Sequence, residues 1–108
     1  AYVALHQALQ MLVNNQVMTK VPLLCPVAAI SVGIIKGQLL LDLCYEEDFA
    51  ADVDFNVVLT AQGGLVELQG ATEAQPFPRH QVEEVLSLAS RGLESLFQIQ
   101  RESTNKFQ

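Results

Sequence analysis

The chain has 108 residues, half of them hydrophobic and only 17% charged, which excludes a disordered polymer and gives one domain enough apolar matter for a core. Six basic residues against twelve acidic ones leave a net charge of −6. There is therefore no basic footprint for a phosphate backbone, and any nucleic acid must find its positive contacts elsewhere.

From Ala1 to about Val13, apolar residues recur at three and four (Val3, Leu5, Ala8, Leu9, Leu12), which predicts an amphipathic helix. No Ser, Thr, Asp or Asn caps its start, so the chain reads as the later part of something longer. His6 lies beside the stripe and reads as a surface or half-buried histidine, because no second ligand shares its face. Pro22 and Pro26 keep the connector from Gln16 to Pro26 irregular. Val27 to Ile35 and Leu39 to Cys44 are strands joined by a glycine turn. Phe55 to Thr60 and Leu65 to Gln69 form a second hairpin around Gly63-Gly64. Gly70 to Pro78 reads as a loop, and a second helical stripe runs from Arg79 to about Gln100. Residues 101–108 read as a polar, fraying tail, so the domain spans 1–100. The expected class is α+β: a four-stranded antiparallel sheet of two hairpins with two amphipathic helices on one face.

Cys25 and Cys44 are too few for a disulfide scaffold and lack metal-ligand spacing, so both read as small buried hydrophobes. No signal peptide and no apolar run long enough to span a bilayer are present, which fits a cytoplasmic protein without a membrane partner.

Between the hairpins, Asp42, Glu46, Glu47, Asp48, Asp52 and Asp54 crowd into thirteen positions. Two carboxylates about 4 Å apart repel by roughly 4 kcal/mol at the effective dielectric of a protein surface, so such a cluster needs water, a proton or a cation. A solvated acidic loop is the plainest reading. A calcium loop using Asp48, Asp52 and Asp54 does not fit the EF-hand pattern.

The wording of the whole segment says more. Tyr45-x-Glu47-Asp48-x-Ala50-Ala51-x-x-Asp54-x-Asn56-Val57-Val58 resembles the signature of the ribonuclease PH family. Val27-Ala28-Ala29-Ile30-Ser31-Val32-Gly33-Ile34, Glu67-Leu68-Gln69-Gly70-Ala71-Thr72-Glu73 and Gly92-Leu93-Glu94-Ser95 resemble its flanks, in order. The resemblance covers nearly the whole chain up to the last eight or so residues, and it is to the C-terminal half of that fold. It implies a phosphorolytic 3′→5′ exoribonuclease of the tRNA nucleotidyltransferase type. In that reaction inorganic phosphate, as co-substrate, attacks the last phosphodiester of a tRNA 3′ end and releases a nucleoside diphosphate, and the usual assembly is a homo-hexameric ring.

By the same resemblance Asp48 and Asp54 are the catalytic pair, binding Mg²⁺ and supplying a proton, with Asp54 on the metal and Asp48 on metal or proton. In extended chain an even offset points both side chains to one face, so a loop running into a strand at Asp54 would converge them. Asp42, Glu46, Glu47 and Asp52 read as solvated charges. The family's Thr-Arg-Thr phosphate segment lies upstream of Ala1, and Lys20, Lys36, Arg79 and Arg91 are too scattered to replace it. The chain thus carries the metal half of a site without its phosphate half. Phe49 stands where the family often has serine, and Asp52 where it often has glutamate. Two other readings remain at this point: a non-catalytic subunit of a ring-shaped RNA-processing complex, and a small divalent-cation module.

Overall fold

A computed structural model describes residues 1–106. The chain runs α1 (Tyr2–Asn14), β1 (Val27–Ile35), β2 (Gln38–Leu41), α2 (Tyr45–Ala50), β3 (Val53–Thr60), β4 (Leu65–Thr72) and α3 (His80–Asn105). The four strands make one antiparallel sheet in the order β2-β1-β3-β4. The expected α+β class and both hairpins are present. Joining the hairpins through β1 and β3 makes those two strands the centre.

Each hairpin is set by backbone chemistry. Lys36 and Gly37 both take positive φ (51° and 81°), the requirement of a two-residue turn matched to strand twist. At the other turn Gly63 sits at φ 90°, while the Thr60 hydroxyl accepts the Gly64 amide at 2.9 Å.

One face of the sheet is the core. Ile30, Val32 and Ile34 on β1 alternate inward with Val53, Phe55, Val57 and Leu59 on β3, against Val85, Ala89, Leu93 and Phe97, one turn apart on α3. Gly92 lets α3 sit close: a Cβ there would lie 2.6 Å from Leu41 Cδ2 and 2.8 Å from Ile30 Cδ1. Phe55 packs edge-on against Phe77, with centroids 4.9 Å apart, and its ring lies over Gly70, its register partner on β4. For that reason β4 continues to Thr72 through a glycine that reads, in sequence, as the start of a loop.

Three local expectations are corrected. The segment 45–50 is a helix rather than a loop. α3 does not stop near Gln100 but continues through Asn105, because Gln98 and Glu102 (2.9 Å) bond one turn apart and Thr104 is buried, donating to the Gln100 carbonyl at 2.9 Å. The last two residues of the expected tail, 107–108, lie outside the described residues. Cys44 is exposed, at the start of α2, whereas Cys25 is half-buried. α1 adjoins α3 and buries none of its residues, so α3 is the helix that covers the sheet.

Candidate carboxylate site

Asp54 sits in β3 between small neighbours, Gly33 on β1 and Ala71 on β4, on the face of the sheet turned away from α3. That face is roofed by the segment between β2 and β3. Asp42 takes φ 57° and its amide donates to the Ser31 carbonyl at 2.7 Å, and the Leu43 amide donates to the Ser31 hydroxyl at 3.1 Å. Ten residues later the Asp52 amide donates to the Ile34 carbonyl at 2.9 Å, and the Asp52 backbone carbonyl accepts from Thr72 Oγ1 at 3.1 Å. α2 is therefore latched at both ends to β1, three residues apart, and has to lie over Gly33. The Leu43 side chain fills the space that Gly33 leaves without a Cβ.

α2 forms for reasons legible at its first turn. Glu47 Oε1 accepts the Cys44 amide at 3.0 Å, half of a capping box, and Glu46, Glu47 and Asp48 place negative charge at the helix's positive end. That amide holds the Glu47 carboxyl below its usual range. Asp52 is also engaged, its Oδ2 accepting the Lys36 amide at 3.3 Å. Glu47 and Asp52 are thus structural, rather than the free loop charges expected of them.

The fold brings Asp48 and Asp54 together. Asp54 titrates above its usual range because burial disfavours its charge, because Asp48 is negative beside it, and because hydrogen bonding to the Asp48 carboxyl favours its protonated form, in that order of importance. Asp48 faces solvent. The Oδ1 of Asp54 is buried with no hydrogen-bond partner. The convergence is not the even spacing of an extended chain: Asp48 is on a helix, and the helix-turn-strand fold-back carries it over the sheet.

A pair of oxygen donors with one orphaned, buried atom suits a hard cation that takes one or two carboxylates and fills its remaining positions with water and substrate phosphate. It does not suit a cation held by protein alone. Among the described residues no group of three or more His, Cys, Asp or Glu could hold a metal ion.

Sequence reasoning missed Gly33, Leu43 and Ser31, which shape this site without carrying its charge. The Cys-x-x-Glu spacing before Asp48 was the available signal for α2. An apolar cleft of about 680 Å³ lies elsewhere, bounded by Tyr2, Leu5, Cys25, Val27, Leu96 and Ile99 among others, and neither aspartate lines it.

Residues 25–92 match the model of the "3′ exoribonuclease family, domain 2". Among curated proteins the chain is similar to "Ribonuclease PH" of Synechococcus sp. (strain CC9605), 50% identical over 103 residues, or 95% of this chain and 42% of that protein. It is also similar to proteins of that name from Synechococcus sp. (strain JA-3-3Ab), 46% identical over 107 residues (96% of this chain, 44% of that protein), and Dehalococcoides mccartyi (strain CBDB1), 44% identical over 101 residues (94% and 42%). The chain spans less than half the length of these relatives.

Proposed function

This chain belongs to the 3′ exoribonuclease family, as its second domain, and from that premise we propose that it carries the catalytic carboxylates of a phosphorolytic 3′→5′ exoribonuclease that trims tRNA 3′ ends. The observation that carries the proposal is the meeting of Asp48 and Asp54, with one buried carboxylate oxygen orphaned, on the face of the sheet turned away from α3.

In the reaction an oxygen of inorganic phosphate bonds to the phosphorus of the last phosphodiester, and the bond from that phosphorus to the 3′ oxygen of the penultimate ribose breaks. The products are a nucleoside diphosphate and an RNA one residue shorter. The departing 3′ oxygen takes up a proton. Asp54, fixed in the central strand with its Oδ1 unpartnered, would be the anchoring ligand for a Mg²⁺ ion, with Asp48 beside it as second ligand or proton donor. When bound, the ion offsets the negative charge of phosphate, RNA and carboxylates and polarises the attacked phosphorus. Asp48, the solvent-facing member, is the one positioned to pass a proton to the 3′ oxygen.

The positive groups that hold phosphate and RNA come, in this reading, from outside these 108 residues. Cytoplasmic location and a homo-hexameric ring complete the proposal. Among the described residues no helix is long and apolar enough to cross a membrane.

The test is phosphate-dependent release of nucleoside diphosphates by the full-length protein. Asp54→Asn should abolish release while leaving the circular dichroism spectrum unchanged. Near-normal turnover in that variant would overturn the assignment.

A further inference from the structure

Tyr45 and Phe49 lie one turn apart on α2, their ring centroids 6.4 Å apart and their planes 27° from parallel. They remain 79% and 83% exposed, while Phe55 and Phe97 are buried. We propose that these two rings are a stacking platform for a nucleobase near the 3′ end of a single-stranded RNA whose terminal linkage lies at Asp48 and Asp54.

This inference rests on the function proposed above. Three features of the structure carry it. Asp48 directly precedes Phe49 and follows Tyr45 by three positions, so the helix sets the carboxylate beside the rings. α2 is capped by Glu47 and latched to β1 at Ser31 and Ile34, so the platform is preorganised rather than assembled on binding. The surroundings are acidic: Glu46, Glu47, Asp48 and Asp52 repel a phosphate backbone, whereas stacking draws on the face of the base, which carries no net charge. Those same carboxylates argue against a protein partner, because the buried centre of a protein interface is depleted of charge.

The experiment is steady-state phosphorolysis by the full-length protein of a short single-stranded RNA, and of the same RNA with one abasic nucleotide at each of its last four positions in turn. The double variant Tyr45→Ala/Phe49→Ala should raise the RNA KM on the order of 5- to 100-fold, leaving kcat and the phosphate KM unchanged. One abasic position should raise the wild-type KM similarly and add nothing in the double variant. Tyr45→Phe, which keeps both rings, should behave as wild type. An unchanged KM in the double variant, or an abasic penalty of equal size in both proteins, would overturn the platform. So would a KM change that follows a shift in assembly state on sedimentation, since the rings would then serve a protein contact. Asp54→Asn, assayed alongside, separates the two claims. Its loss of turnover supports phosphorolysis whatever the rings do. If it retains turnover, the carboxylate assignment fails, and equilibrium binding of the abasic series alone decides the platform.

Discussion

Gly33→Ala perturbs the site from beneath without touching a charged group. The added Cβ points to the face that carries Asp54 and collides with Leu43 Cδ1, with Leu43 Cγ and Cδ2 both at 3.3 Å. Replacing a strand glycine by alanine gains roughly 0.5–1 kcal/mol in backbone entropy, and forcing a methyl into filled space costs about 1–3 kcal/mol. The expected net loss is roughly 1–2 kcal/mol, a fall in Tm on the order of 5–10 °C for a domain of this size. Leu43 is bonded through its amide to Ser31 and leads directly into α2, so its displacement also lifts Asp48 from Asp54. A shift of about 1 Å in such a pair costs up to 100-fold in rate. Urea denaturation and phosphorolysis, each measured in the wild-type and Leu43→Ala backgrounds, check both effects. With Leu43 truncated the methyl has room, so Gly33→Ala should be neutral or stabilising there. An equal penalty in both backgrounds would refute the packing argument.

Three further outcomes follow from the same geometry. The folded Asp54 binds its proton more tightly than the unfolded chain, so its contribution to stability is full below the unfolded pKa and is lost as pH rises through the folded value. Asp54→Asn should therefore flatten that decline and leave the metal-free protein more stable than wild type at neutral pH, which thermal melts from pH 4 to 8 would reveal. Ser31→Ala removes the acceptor for the Leu43 amide and should cost about 0.5–1.5 kcal/mol, with faster amide exchange confined to residues 42–50. Phe97→Ala, under the sheet, should cost roughly 3–5 kcal/mol by denaturant titration while the Asp54 titration keeps its midpoint.

Much of this architecture is written locally. The strands alternate or run apolar, each hairpin turn places a glycine, Gly37 or Gly63, at positive φ, and α3 shows its stripe at Val85, Ala89, Leu93 and Phe97. The pieces that escaped are those whose signal lies in a distant partner. Gly70 reads as a strand ending until the Phe55 ring is found over it, and Asp52 reads as a free charge until Lys36 arrives beside it. Polar residues 101–105 read as a tail because nothing apolar marks them, although their side chains bond along the helix. The two aspartates could be named from their resemblance, but how they meet could not. That depends on the latches at Ser31 and Ile34, which bend a helix back across the sheet.

The coupling of the two carboxyls is tested most directly by following the carboxyl ¹³C shift of Asp54 with pH, in the wild type and in Asp48→Asn. The wild type should titrate above the ordinary aspartate range. Asp48→Asn, which removes the neighbouring charge, should lower the midpoint while leaving it raised, because burial is the largest cause and remains. An Asp54 that titrates at the ordinary value, or one indifferent to the loss of Asp48, would mean that the two side chains do not form one site.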